Sequence, residues 1–466
     1  MRAWRWGASA VLLATAAAAQ DLGDGHLGDL VVDDLDVPNK VLALTQDVKA
    51  GDALLPVPAT PAYYPSDLLM LIRVRGGTDL GNGAIQPSGA GDTFFTRISH
   101  VEIQGFDINP PLDRDWPSAD TEIIYVPEYR NLTITSTGNL YAQTFDGTIG
   151  GVVALLVTNE LRVDGTLHAD GIGFRGGQAG INGANSGSGC SNPNQDTTGG
   201  AEKGEGILAV PWNNTSTGFG RNGNGGGGGV CQASGGGGGA NAGKGGQGGA
   251  STDGLRPVGG QGGSPVMTDG FLPLFGGGGG AGTYDGTGSS GGAGGGIVII
   301  RAGHISGSGL ISARGGDALT GPAESPTSNG SPGGGGAGGS IDIVSVQSPT
   351  CHVSVKGGNG GLPAGGGGGG GRVRFSAPNS DGCTADLTAG LGASSSDKQA
   401  QPTSEQAAGY IGTLDVETLN PMTMMLPNRY EFGTLGCSST GNALPALSLL
   451  ALLFSRRREK VPRSGG

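Results

Sequence analysis

Cys190, Cys231, Cys351 and Cys383 are the residues in the body of this 466-residue chain best suited to defined chemistry, and Cys437 stands apart near the end. Four thiols oxidise to two disulfides, and three pairings are open to them. Pairing Cys190 with Cys231 and Cys351 with Cys383 closes the shorter loops and is the arrangement expected. Zinc is the competing use, but the chain has no Cys-x-x-Cys pair and its five histidines are scattered.

Other chemistry-like patterns dissolve on inspection. Gly288-Ser289-Ser290-Gly291-Gly292 fits a nucleophile pattern, yet it lies in a Gly/Ser run and not on a strand-to-helix turn. Gly243-Lys244-Gly245 follows a glycine-rich loop but lacks the Ser or Thr of a phosphate-binding loop. Carboxylates crowd residues 21–36, as Asp21, Asp24, Asp29, Asp33, Asp34 and Asp36. Such a density suits calcium, which takes six to eight oxygens, although neither the EF-hand spacing nor a calcium nonapeptide is present. A solvated acidic leader is the preferred reading. A glycoside-cleaving carboxylate pair would be sought first among Asp107, Asp113, Asp115, Asp120 and Glu122, near Phe106 and Trp116. Loop decoration explains them more economically, so no catalytic residue, no cofactor and no metal ligand is named, and the chain is read as a non-enzyme.

The elements that would hold these residues follow from composition and period. Glycine supplies 100 of 466 residues, about three times its usual share of roughly 7%, so a conventional core throughout is unexpected. A net charge of -12 argues against a nucleic-acid partner, which requires clustered Lys and Arg. Residues 20–175 read as an all-β domain of short strands: Val41–Leu44, Leu54–Val57, Leu68–Val74, Phe94–Ile98, Val101–Ile103 and Ile123–Val126, separated by Gly, Pro, Asp or Asn.

Residues 176–376 read as a glycine-rich β-repeat region. One unit recurs as Gly150–Gly171, Gly295–Gly316 and, more loosely, Gly338–Gly358, and Gly370–Ser376 looks like an opening strand alone. The first two copies share Gly-x-φ-x-Ala-x-Gly, with φ apolar, at Gly165–Gly171 and Gly309–Gly315. Alternation at Ile341/Ile343 and Val353/Val355 predicts half-buried strands, and each unit a β-arch or hairpin. Between the units, Asn241, Lys244, Gln247 and Ala250 recur every third residue among glycines. Three residues per turn is the period of a polyproline-II-type helix, whose bare edges let neighbouring chains exchange backbone hydrogen bonds. The expectation is an all-β chain with polyglycine-II-type loops or a bundle. Residues 377–436 read as last strands, at Tyr410–Val416 and Met422–Leu426, and a stalk.

The two ends carry addresses. Arg2 and Arg5 precede an apolar run and the small residues Ala16–Ala19, which predicts a signal peptide over residues 1–19 cut at Ala19. At the other end, Cys437-Ser438-Ser439-Thr440-Gly441 leads into an apolar stretch from Ala443 to Phe454 and then Arg456, Arg457 and Arg458. Residues 437–466 thereby resemble the myxobacterial C-terminal sorting domain (MYXO-CTERM). That resemblance implies that Cys437 marks processing and anchoring, that the tail engages the membrane before processing, and that the protein stays at the outer surface. The glycine-rich region resembles secreted bacterial surface proteins in which strands frame polyglycine loops, and is similar to the glycine-rich ectodomain of the anaplastic lymphoma kinase receptor.

The function expected is that of a non-catalytic, structural or adhesive protein of the bacterial envelope. Its expected partners are extracellular polysaccharide or neighbouring surface proteins. Two rivals are a secreted polysaccharide hydrolase or lyase of parallel β-helix type and a calcium-dependent surface assembly protein. Uneven spacing of the repeats speaks against the regular coils of the first.

Overall fold

The computed structural model describes residues 22–58, 63–80, 84–179, 200–208, 216–230, 234–250, 258–283, 288–318, 331–362, 364–392, 409 and 412–418. Among them the regular structure is all β, apart from one 3-10 turn at Ser118–Asp120. No helix of the described residues is long and apolar enough to cross a membrane.

The framework is a stack of β-arches, each made of a strand in one parallel sheet, a short turn and a strand in a second. The pairs are β1 (Asp29–Val32) with β2 (Leu35–Asp36), and β12 (Asn131–Ile134) with β13 (Asn139–Tyr141). They continue as β14 (Val152–Val163) with β15 (Thr166–His168), and β16 (Ile297–Ser306) with β17 (Leu310–Ser312). The last are β18 (Ser340–Ser345) with β19 (Cys351–Ser354), β20 (Arg372–Ala377) with β21 (Cys383–Asp386), and β22 (Thr413–Thr418). The first sheet runs β1-β12-β14-β16-β18-β20-β22, with β11 (Glu128–Tyr129) also beside β14, and the second runs β2-β13-β15-β17-β19-β21.

Every strand pair in the two sheets is parallel. The repeats are therefore arches stacked on one another, and the hairpin option is discarded. Inward residues interleave into one core between the sheets, including Leu132, Leu155, Leu167, Ile300, Ile311, Ile343, Val353 and Phe375. The tight corner before β17 needs Gly307, at φ +112°, because a Cβ there would lie 2.0 Å from the Val163 carbonyl oxygen.

The uneven repeat spacing has a single cause. Every glycine-rich insert leaves the end of a second-sheet strand and returns to the start of the next first-sheet strand, over residues 169–296, 313–339, 355–371 and 387–412. The arches themselves stay in register, so irregular spacing did not preclude stacked coils.

Residues between the first two arches fold into an antiparallel sheet of order β3-β10-β5-β8-β9-β4. Its strands are β3 (Val41–Ala43), β4 (Leu54–Leu55), β5 (Leu68–Arg73), β8 (Thr93–Glu102), β9 (Gly105–Asn109) and β10 (Thr121–Tyr125), and β6 (Gly77–Asp79) and β7 (Ile85–Pro87) pair separately. One face buries Met70, Ile72 and Ile124 against Val152, Ala154 and Ile297 of the first parallel sheet. The other covers Leu69, Leu71, Phe106 and Trp116.

Two polar clamps lock this layer down. The buried Asn39 amide donates to the Tyr125 and Ala154 carbonyls at 2.9 and 2.8 Å and accepts from Ala154 N–H at 3.1 Å. Arg97 of β8 donates two 2.7 Å hydrogen bonds to the buried Glu128 carboxylate of β11.

The glycine inserts form a bundle joined main chain to main chain. Gly235 and Gly238 donate to the carbonyls of Gly249 and Gly246 at 3.0 and 2.9 Å. Gly236 and Gly239 donate to Pro332 and Gly335 at 3.0 and 2.9 Å, and Gly237 and Ala240 to Gly227 and Asn224 at 2.9 and 2.7 Å. Carbonyls follow the same period. Those of Gly235 and Gly238 accept from Gly260 and Gly263, those of Gly236 and Gly239 from Gly366 and Gly369, and that of Gly237 from Gly280. Every third residue thus addresses the same neighbour, as three residues per turn requires, and one run is ringed by six others. Side chains are excluded by distance, since a Cβ on Gly238 would fall 2.1 Å from the Gly367 oxygen. Buried peptide groups find their partners here without strands or helices.

The third-residue series at 241–250 splits by environment. Lys244 and Gln247 lie on an exposed edge. Asn241 is buried, donating to the Gly338 and Gly339 carbonyls and accepting from Arg372 Nε at 2.9 Å. Arg372 also reaches Thr268 and the Val266 carbonyl, and burial pulls its guanidinium down to about 10. This pair ties the bundle to β20.

Candidate functional site

Cys351 and Cys383 are register partners on the adjacent strands β19 and β21, with Cα atoms 4.5 Å apart, and they form a disulfide. Parallel pairing brings them together, because each opens the second strand of its arch. Cys190, Cys231, Ala19, Cys437, Arg456, Arg457 and Arg458 lie outside the described residues.

Ser289 is buried, its hydroxyl accepting from Gly333 N–H at 3.0 Å, which is a structural role inside the bundle. Gly243 and Gly245 belong to the lattice, donating to the Gly370 and Gly263 carbonyls.

The carboxylates near Trp116 are spread over separate contacts. Asp113 accepts from Arg114, and Asp115 from Lys49 and from Ala50 N–H. Glu122 is fully buried, takes one hydrogen bond from Gly150 N–H at 2.7 Å, and is pushed well above the usual carboxyl range by burial. It is a core group and not part of an open carboxylate pair.

In the acidic leader, Asp29 is held at about 2 by hydrogen bonds from Arg130 and Asn131. Asp24, His26 and Glu128 bring ligand-capable atoms within 4.8 Å of one another. Arg97 nevertheless takes both Glu128 oxygens, and His26 Nδ1 bonds Asp24 at 2.7 Å. A cation there would share a buried carboxylate with a guanidinium, so the donor set fits an ion pair better than a metal site.

A cavity of about 400 Å³ opens between the β6–β7 hairpin and residues 267–272. Leu80, Met267, Phe271 and Leu272 wall it, with Gln86 and the single lining carboxylate Asp269. Arg374, bidentate to Asp342, lies over the Phe271 ring at 4.9 Å.

The outer face of the second sheet carries an ordered polar array. Strand alternation sends Leu140, Leu167, Ile311, Val353 and Ala385 inward and the residues between them outward. Register then aligns Tyr141, His168, Ser312, Ser354 and Asp386 in one column across five strands. A second column holds Asn139, Thr166, Leu310, His352 and Thr384. Asp170, Arg314, Lys356 and Thr388 follow two residues beyond the first column on successive arches.

Hydrogen bonds run along the columns. Thr166 donates to Asn139 at 2.9 Å, and His352 pairs with Thr384 at 2.8 Å. Arg314 donates to Asp170 through Nε and Nη2 at 2.9 and 2.7 Å, and Ser312 donates to it at 2.9 Å. The Tyr141 and His168 rings stack at 5.9 Å with planes 16° apart. Burial pushes the His168 imidazole below its usual value, so at neutral pH the ring is uncharged.

The sequence reading named none of these face residues. The signal lay in the variable positions of Gly-x-φ-x-Ala-x-Gly, which are Thr166/Leu310, His168/Ser312 and Asp170/Arg314. Consensus positions face inward or turn the chain, and the x positions face out.

No protein-family profile and no curated protein matches the sequence. Among solved structures, a similarity is found to the Gp54 tailspike of Acinetobacter baumannii bacteriophage AP22, in complex with A. baumannii capsular saccharide. It has 9% identity and a TM-score of 0.18, over 78% of this chain and 62% of the tailspike chain. This chain spans less than two thirds of that protein, and a likeness of this degree carries no argument.

Proposed function

We propose that this chain is an exported, non-catalytic protein of the bacterial cell surface, structural or adhesive in role, whose open second sheet is its contact face for polysaccharide or neighbouring surface proteins. The observation that carries the reading is the polyglycine lattice. Much of the chain is devoted to a scaffold with almost no side chains, bonded peptide to peptide and anchored on a disulfide-stapled stack of arches. Such a body suits bearing and display. Near Trp116, Asp113 and Asp115 serve ion pairs and Glu122 lies in the core, which supports the non-catalytic reading over the hydrolase. Export and retention rest on the Arg2-to-Ala19 segment and on the tail from Cys437 to Arg458.

The test is deletion of the gene in the source bacterium, with surface labelling of the full chain in the parent. The reading expects the protein on intact cells and loss of cell-to-matrix attachment on deletion. Attachment unchanged, with the purified chain binding neither matrix polysaccharide nor cells, overturns the adhesive part.

A further inference from the structure

We propose that the outer face of the second sheet is a binding site for a neutral polysaccharide, which lies along the column from the stacked Tyr141 and His168 rings to Asp386, flanked by Asp170, Arg314 and Lys356. The site rests on the reading of this face as a contact surface and narrows it to one ligand chemistry.

Shape comes first. Tyr141 and His168 stand next to each other, and the following two positions of the column are serines before Asp386 closes it. From His168 to Asp386 are three register steps, roughly 14 Å at the usual strand spacing of about 4.8 Å. The two serines are buried, Ser312 donating to Asp170 and Ser354 to Asp386, so the half-buried rings stand at one end of a floor closed over by those carboxylates. One His168 face meets Tyr141, and its other side borders the small Ser312. A sugar ring presents C–H bonds on its faces, which pack on an aromatic surface, and hydroxyls around its rim.

Charge selects the class. Asp170 and Asp386 supply carboxylate acceptors, and Arg314 and Lys356 supply donors, so the four flanking groups sum to zero. Asp386 is held below the usual carboxylate range by hydrogen bonds from Thr388, with Lys356 adding its charge, and stays ionised. A neutral polyol serves both kinds, donating to Asp386 and accepting from Arg314 and Lys356, while the Asp170 carboxylate is filled by Ser312 and Arg314. A polyuronate gains at the two cations and is opposed at Asp170, Asp386 and the nearby Asp317, whose charge acts on Arg314. The uncharged His168 adds no attraction for anions.

The experiment is affinity electrophoresis of the full chain through gels holding a neutral polymer, dextran or galactomannan, or an acidic one, alginate or polygalacturonate. Retardation by a neutral polymer is expected, with about tenfold weaker binding in His168→Ala, the scale of one lost aromatic stacking contact. Asp386→Asn, an exposed change, weakens binding likewise, and Lys49→Ala, in the segment between β3 and β4, leaves it intact. Circular dichroism melts confirm that the variants are folded.

Neutral-polymer binding that survives both His168→Ala and Asp386→Asn overturns this site and leaves the adhesive reading standing. Preference for the acidic polymers overturns the neutral class. Failure to bind any of the four polymers overturns the proposed site, and the attachment assay decides separately whether the adhesive reading falls too.

Discussion

Replacing Gly238 with alanine tests the lattice at a run ringed by six others. A Cβ there meets the Gly367 oxygen at 2.1 Å, with further backbone of Gly367 and Gly366 at 2.5 and 3.0 Å. Ordinary C···O contact is about 3.3 Å, so the neighbouring run must retreat by about 1 Å. That retreat stretches three bonds: Gly366 N–H to Gly236, Gly246 N–H to Gly367, and Gly369 N–H to Gly239, now at 3.0, 2.7 and 3.0 Å. Each costs about 1 kcal/mol net. Overpacking adds about 2 kcal/mol, and the stiffer unfolded chain returns about 1 kcal/mol. The expected loss is about 4 kcal/mol, close to a thousandfold in an opening equilibrium. Gly270→Ala is the control, because nothing lies within 4 Å of its Cβ. Urea titration gives the global loss, and amide hydrogen exchange over residues 234–250 gives the local one. If Gly238→Ala matches Gly270→Ala within about 0.5 kcal/mol and keeps its slow amides, the close-contact argument is refuted.

Three other perturbations follow from the same physics. Cys383→Ser opens a loop closed over 32 residues and should cost about 4 kcal/mol by the chain-entropy relation, read in a urea midpoint; an unchanged midpoint would contradict it. Glu128→Gln removes the counter-charge of buried Arg97 and should cost about 3 to 5 kcal/mol, with Arg97→Met in the same chain restoring part of it; a double variant no better than the single one speaks against the pair. Glu122 has its folded pKa above the unfolded 4.5, so the folded state binds the extra proton and stability declines as pH rises from 4.5 toward the folded value. Glu122→Gln should therefore be more stable than the parent at pH 8 and nearly equal to it at pH 4, in paired urea titrations at the two pH values.

Repeats announced themselves where a glycine pair opens a long first strand and Gly-x-φ-x-Ala-x-Gly brackets the second, as in β14 with β15 and β16 with β17. The two earliest arches went unnoticed. β2 has two residues and β13 three, too few for a period, and their partners lie about a hundred residues away in sequence. Strands of the antiparallel layer were legible as apolar runs, although Phe94–Ile98 and the start of Val101–Ile103 join into the single strand β8, whose pairing with β9 shifts register between Ile98 and His100. The three-residue period of the glycine runs was visible, but the identity of the six neighbours was not, because glycine carries no side chain to specify a partner. Asn241 shows the limit: its spacing placed it on an edge with Lys244, whereas Arg372 from β20 draws it into the interior. The outer-face columns were hidden because they cross the strands, and only parallel register brings His168, Ser354 and Asp386 into line.

The threefold address of each glycine run also constrains how such a protein can change over generations. Adding or removing one residue turns everything downstream by a third of a revolution, and every donor then points at the wrong neighbour. A change of three residues restores the phase. The bundle behaves as though it had a reading frame of its own, written in peptide groups: single-residue insertions should be purged from its interior, and triplets tolerated.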